Sequence, residues 1–126
     1  MSNSIKIGRH WEQAAESFLN NQGLKTLTRN YRCRLGEIDL VMREGNCLVF
    51  AEVRYRKVGS YGSGAESIGR SKRQKLLRAA AFYLKMERIS SHQPCRFDVV
   101  SVSNSDQQGS PGQQFEWIRD AFQAEC

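Results

Sequence analysis

Two carboxylates near the middle of the chain occupy positions where charge is hard to accommodate. The runs Glu37-Ile38-Asp39-Leu40-Val41-Met42 and Cys47-Leu48-Val49-Phe50-Ala51-Glu52-Val53 flank Glu44-Gly45-Asn46, the pattern of two antiparallel strands joined by a tight turn. Residues two apart in a strand share a face, so Glu52 and Arg54 project from one side of the second strand, and Glu37, Asp39 and Val41 from one side of the first. The second run is apolar on both faces until Glu52. That predicts a strand covered on both sides, in which a terminal carboxylate is unfavourable unless something satisfies it. Were the hairpin to bring Asp39 within about 4 Å of Glu52, the two charges would repel by roughly 4 kcal/mol at an effective dielectric near 20. A divalent cation removes that repulsion, and Mg²⁺ takes a few carboxylates together with waters and phosphate oxygens. Held there, it would activate water and stabilise the charge on a scissile phosphate, with Arg54 gripping the phosphate. A second reading stays open on spacing alone, in which Asp39 and Glu52 pair with arginines such as Arg54 or Arg34 across the strands.

The surrounding charge is uneven. The 126 residues carry a formal charge of +6. From Arg54 to Arg78 there are eight Lys or Arg against the single acid Glu66, whereas Asp98 to Cys126 has five acids against Arg119. A local positive field of this kind is a footprint for a polyanion, since each neutralised phosphate releases counterions; the alternative is a solvated basic face. The candidates for phosphate contact are Arg56, Lys57, Lys72, Arg73, Lys75 and Arg78 in the basic run, with Arg32 and Arg34 on the preceding strand. Tyr55 and Tyr61 are candidates for stacking on bases.

The elements that position these groups are legible from periodicity. Trp11, Ala14, Ala15, Phe18 and Leu19 fall on one helical face, with Gly23 as the stop. Leu27, Tyr31, Cys33 and Leu35 alternate with Thr28, Asn30, Arg32 and Arg34 as a half-buried strand. Glycine-rich Arg56 to Ala65 reads as a loop, and a second helix follows, capped by Ser67 or Ser71, with Leu77, Ala80, Ala81 and Leu84 as its buried stripe. Phe97 to Val102 reads as a strand, Ser103 to Gln114 as a loop, and Phe115 to Ile118 as a short edge strand, with Ala121 and Phe122 anchoring the tail. Length and composition fit a single domain spanning residues 1–126. The apolar stretches Cys47–Ala51 and Ala79–Leu84 are too short to span a bilayer, and no signal-like segment opens the chain, so a cytoplasmic protein is expected. Four cysteines without a Cys-x-x-Cys pair suggest reduced thiols rather than a zinc site. His10 and His92 are isolated, and no phosphate-binding Gly-x-x-x-x-Gly-Lys loop appears.

Gly36-Glu37-Ile38-Asp39-Leu40-Val41 followed by Val49-Phe50-Ala51-Glu52-Val53-Arg54 resembles the Asp, then Glu-x-Lys signature of the PD-(D/E)XK nuclease superfamily. More narrowly the chain resembles the bacterial YraN family, which is similar to archaeal Holliday-junction resolvases. The likeness extends over Gly8-Arg9, Glu12, Asn30-Tyr31-Arg32, Lys72, Ala80-Ala81, Tyr83-Leu84, Arg96 to Val100 and Ala121-Phe122. It implies an α/β fold, a restriction-endonuclease-like three-layer sandwich with a central mixed β-sheet flanked by helices. It further implies Mg²⁺- or Mn²⁺-dependent cleavage of DNA, branched or single-stranded substrates included, and a homodimer for a resolvase. Under that resemblance Asp39 and Glu52 ligate the metal, Glu12 completes the acidic cluster and Arg54 takes the basic position. Arginine there is a departure, because it stays protonated and cannot act as a general base. The competing expectation is therefore a non-catalytic nucleic-acid-binding or assembly module that retains the fold, on DNA or on RNA.

Overall fold

The structure, a computed structural model, describes residues 3–55, 69–105 and 112–122. Helix α1 (Asn3–Asn21) buries Trp11, Ala15 and Leu19, with Phe18 at the margin. Its last turn closes through backbone bonds from Gln22, Gly23 and Leu24 to Phe18, Asn20 and Leu19. Gly23 has φ +103°, the left-handed conformation that ends helices and suits glycine. The carboxylate of Glu16, buried on the same helix, accepts from Thr26 Oγ1 (2.6 Å) and Arg29 Nε (2.9 Å), so α1 is clamped across the first strand.

Five strands follow: β1 (Lys25–Cys33), β2 (Gly36–Glu44), β3 (Cys47–Tyr55), β4 (Cys95–Ser105) and β5 (Gly112–Phe122), in spatial order β1-β2-β3-β4-β5. Neighbours are antiparallel except β3 and β4, which are parallel. The parallel pair requires a crossover, and helix α2 (Arg70–Met86) lies in it. The two faces of the sheet carry separate cores. One packs Trp11, Ala15 and Leu19 of α1 on Leu40, Met42, Val49, Ala51, Val100 and Val102. The other packs Leu76, Ala79, Ala80 and Tyr83 of α2 on Ile38, Val41, Leu48, Phe50 and Phe97. A mixed sheet between helices on opposite faces is the α/β sandwich of restriction-endonuclease-like proteins.

Four details differ from the sequence reading. The expected inward residue Leu27 is 48% exposed, because a register shift between Thr26 and Thr28 leaves it outside the ladder and turns the threonines inward. The buried stripe of α2 is Leu76, Ala79, Ala80 and Tyr83, one residue earlier than expected, and Ala81 is exposed. Its cause is Tyr83, whose ring sits edge-on to Tyr31 (5.1 Å) and Phe50 (6.0 Å) and rotates the helix toward it. The N-cap of α2 is Gly69 with no side-chain cap, and Ser71 lies within the helix. The expected loop from Ser103 to Gln114 is largely strand where it is described, since β4 runs to Ser105 and β5 starts at Gly112. The glycine-rich stretch 56–65, Ser67, Tyr61 and the phosphate candidates Arg56 and Lys57 lie outside the described residues. Among the described residues no helix is long and apolar enough to cross a membrane.

Candidate active site

The hairpin does bring the two carboxylates together, through a divergence of its strands. The β2–β3 ladder runs from Glu44↔Cys47 to Leu40↔Ala51, while β3 stays paired with β4 as far as Tyr55↔Val102. Beyond Leu40, Asp39 Oδ2 accepts the Val53 backbone N–H at 2.9 Å. A carboxylate thus takes the amide where the ladder has ended, as the burial of polar groups demands. Glu52 is buried and its side chain hydrogen-bonds to Asp39. Burial first, then the charge of Glu52, push the Asp39 carboxyl up to about 8; the bond from Val53 opposes the shift and the charge of Glu12 adds to it. At neutral pH Asp39 therefore keeps its proton, which it can donate to Glu52.

Both helices bring charged side chains to this gap. From α1, half-buried Glu12 is raised above the ordinary glutamate range, chiefly by burial; a hydrogen bond from Asn30 opposes this, and Glu37 and Glu52 add to it. Asn30 holds a positive φ of 50°, which asparagine tolerates better than most residues. From α2, Lys72 Nζ lies 2.6 Å from Glu52 Oε1. The approach of α2 depends on Gly36 at the start of β2, where a Cβ would stand 3.0 Å from the Lys75 carbonyl oxygen. The result is a cleft of about 860 Å³ between the N-terminal half of α2, α1 and the diverging strands, lined by Glu12, Asp39, Glu52, Lys72, Lys75 and Arg32 among others.

The residues that build this cleft fall within a recognisable segment. The model of the uncharacterised protein family UPF0102 matches residues 11–102, from Trp11 on α1 to Val102 on β4. The chain belongs to the UPF0102 family. It is 48% identical over 116 residues to a UPF0102 protein of Aeromonas hydrophila, covering 91% of this chain and 83% of the relative. It is 46% identical over 123 residues to one of Pseudomonas paraeruginosa, covering 98% and 97%, and 43% identical over 126 residues to one of Stutzerimonas stutzeri, covering 98% and 100%. The matched segment holds every cleft-lining residue, whereas β5 lies beyond it.

The candidates of this UPF0102 chain divide by position. Glu12, Asp39, Glu52, Lys72, Lys75 and Arg32 line one cleft. Arg32 is exposed and pairs with Glu37 at 3.3 Å across β1 and β2. Arg54, opposite Ser101 on β4, is half-buried and does not line the cleft. Arg34 and Arg78 are exposed away from it, and Arg73 is half-buried with its Nε unpartnered among the described residues. The ammonium nearest the carboxylates is therefore on the helix, 20 positions beyond Glu52. Periodicity could not show that, since only the packing of α2 decides which of Lys72, Arg73 and Lys75 faces the sheet. Trp11 and Gly36 also line the cleft. Trp11 read as core, and the motif Gly36-Glu37-Ile38-Asp39 was the one signal for Gly36.

Among the described residues no group of three or more His, Cys, Asp or Glu is arranged to hold a metal. Zinc, with its usual three or four protein ligands, does not fit. Two adjacent carboxylates open to a cleft do fit Mg²⁺ or Mn²⁺, which keep most of their coordination sphere for water and phosphate oxygens.

Proposed function

We propose that this UPF0102 chain binds nucleic acid, DNA first, and hydrolyses a phosphodiester bond with Mg²⁺ or Mn²⁺ held by Asp39 and Glu52. The observation that carries this reading is the carboxylate pair, buried Glu52 beside half-buried Asp39, whose charges repel in an open cleft with Lys72 against Glu52. A fold selected for stability alone would not retain such an arrangement. When bound, the metal supplies activation of water and neutralisation of phosphate charge. The chain's own groups do the rest. Asp39 is oriented by the Val53 amide, and Glu52 by Asp39 and Lys72. Lys72 and Lys75 lie in the first two turns of α2, where the helix dipole adds to their positive field. They would hold the phosphate, and Lys72 would take the electrostatic part assigned by the motif to the residue two after Glu52. Three half-buried free thiols, Cys33, Cys47 and Cys95, suit a reducing compartment, and we place the protein in the cytoplasm.

The Lys72–Glu52 pair also supports the second reading, a binding module without turnover, because it satisfies Glu52 with no metal present. Isothermal titration of Mn²⁺ and Mg²⁺ into the wild type and an Asp39→Ala, Glu52→Ala double variant separates the two, with branched, single-stranded and duplex DNA then incubated and run on a gel. Metal uptake and strand scission that both vanish in the double variant support the nuclease. Salt-sensitive DNA binding, unchanged in the variant and never followed by scission, would establish the module instead.

A further inference from the structure

One wall of the cleft is aromatic, and the chemistry above leaves it unused. Trp11 and Tyr55 stack with ring centroids 4.3 Å apart and planes inclined by 17°, and both line the cleft that holds Asp39 and Glu52. Their exposures differ sharply. Trp11 is 9% exposed and part of the α1 core, whereas Tyr55, the last residue of β3, is 45% exposed. One face of the phenol is thus covered by the indole, and much of the rest of the ring is open. Trp11 Nε1 is in addition buried without a partner among the described residues, a donor at the cleft wall that an acceptor-rich ligand would satisfy after a small adjustment.

We propose that Tyr55, backed by Trp11, is a stacking platform for one unpaired nucleobase, so that the cleft prefers strands with displaced, bulged or single-stranded nucleotides over continuous duplex. This rests on the nucleic-acid reading of the cleft. A two-ring stack that ends in an exposed aromatic face is completed by a third flat ring, and bases supply one whatever their sequence. Within a duplex each base has both faces covered by its neighbours, so only an unpaired or extruded base can offer one. The cleft volume of about 860 Å³ is that of a small-ligand pocket, suited to one or two nucleotides. The backbone of the stacked nucleotide lies along the cleft beside the carboxylates, within reach of Lys72, Lys75 and Arg32, all of which share the cleft with Tyr55. Rigid backing matters here. Tyr55 is anchored in the β3–β4 ladder opposite Val102 and braced by Trp11, so little side-chain freedom is lost when a base docks.

The test uses the full chain in EDTA, so that binding is read without cleavage. Fluorescence anisotropy compares a 20-nucleotide duplex, the same duplex with one bulged adenine, the same bulge made abasic, and the single strand. The variants are Tyr55→Leu, which keeps bulk without a π face, and Tyr55→Phe, which keeps the face. Wild type and Tyr55→Phe are expected to bind the bulged and single-stranded forms at least about tenfold tighter than duplex. Tyr55→Leu, or the abasic bulge, should remove roughly 5- to 100-fold of affinity while leaving duplex binding unchanged. 2-Aminopurine at the bulge should lose emission on wild-type binding and keep it with Tyr55→Leu. Equal affinities of wild type and Tyr55→Leu for the bulged form, or indifference to the missing base, would overturn the platform even if the protein cuts DNA with Mg²⁺. A Tyr55-dependent preference with no scission under Mg²⁺ or Mn²⁺ would uphold the platform and overturn hydrolysis. Absence of binding to any of the four forms would overturn both.

Discussion

Replacing Asp39 by asparagine should stabilise the protein, and by more as the pH rises. In the folded chain the Asp39 carboxyl titrates near 8 rather than at 3.8, through burial and the neighbouring Glu52. Below about pH 4 both folded and unfolded chains hold this proton, so its contribution to stability is constant. Between roughly pH 4 and 8 the unfolded chain releases it and the folded chain keeps it. Folding is then opposed by about 1.4 kcal/mol per unit. The whole interval of about four units corresponds to on the order of 5 kcal/mol. Glu52 carries part of the same repulsion, so changing Asp39 alone should recover about 2–4 kcal/mol at pH 8. Asparagine suits the site: its oxygen can still accept the Val53 N–H, and its amide can donate to Glu52 as the protonated acid does. Urea denaturation in EDTA at pH 5 and pH 8 measures the difference between the two proteins. It should be small at pH 5 and grow by a few kcal/mol at pH 8. Saturating Mg²⁺ should close most of the gap by stabilising the wild type alone, by about 2.7 kcal/mol at one hundred times Kd. A stability difference that stays constant between the two pH values would refute the retained-proton argument outright.

Other residues give equally direct expectations. Lys72→Ala, on a half-exposed side chain bonded to Glu52 at 2.6 Å, should lower single-turnover cleavage about 10²- to 10³-fold, as loss of one charge-stabilising donor does, while circular dichroism shows the fold retained. Arg54→Lys, which restores the motif's usual residue at a position that does not line the cleft, should change that rate by less than about tenfold; a large gain would return the role to Arg54. Asp98 lies on β4 opposite Ala51, almost fully buried, where it accepts from Trp117 Nε1 and the Asp120 N–H (2.9 Å each) and Arg96 Nε (3.0 Å). Asp98→Ala leaves the Trp117 Nε1 and Asp120 N–H donors without their acceptor and Arg96 with Glu44 as its remaining carboxylate (2.8 Å), and should lose about 3–5 kcal/mol in urea denaturation.

Much of this was legible in the sequence wherever a local rule governs structure. The hairpin followed from two apolar runs around Gly45-Asn46, and the first helix from its apolar spacing, because both patterns are set by residues close in the chain. The hairpin also made a meeting of Asp39 and Glu52 conceivable, since a short turn fixes which residues of two strands meet, but spacing left pairing with arginines equally open. What stayed hidden depends on tertiary packing. The rotation of α2 is decided by Tyr83 fitting between Tyr31 and Phe50, and with it the choice of Lys72 to face Glu52. The outward turn of Leu27 comes from a register shift in β1, to which an alternating pattern is blind. Trp11 read as core and is core, yet its other role as the backing of Tyr55 required knowing that β3 ends beside α1.

The position of Gly36 connects these observations and can be tested. The ammonium reaches Glu52 only because α2 lies close against the start of β2, and that approach leaves 3.0 Å between a hypothetical Gly36 Cβ and the backbone oxygen of Lys75. A backbone atom cannot swing aside as a flexible side chain would, so Gly36→Ala must move the helix or the strand. Lys75 and Lys72 are three residues apart on one helical face, and a shift at one is transmitted to the other. The expected outcome is a stability loss of about 1–3 kcal/mol together with a fall in cleavage rate, because Lys72 and Glu52 are pulled apart. Stability loss alone would be uninformative, so the decisive measurement is a double-mutant cycle on the rate. If Gly36 acts through Lys72, Gly36→Ala should slow the wild type markedly and the Lys72→Ala background hardly at all. Equal slowing in both backgrounds would show that the glycine serves the cleft by some route other than the placement of that lysine.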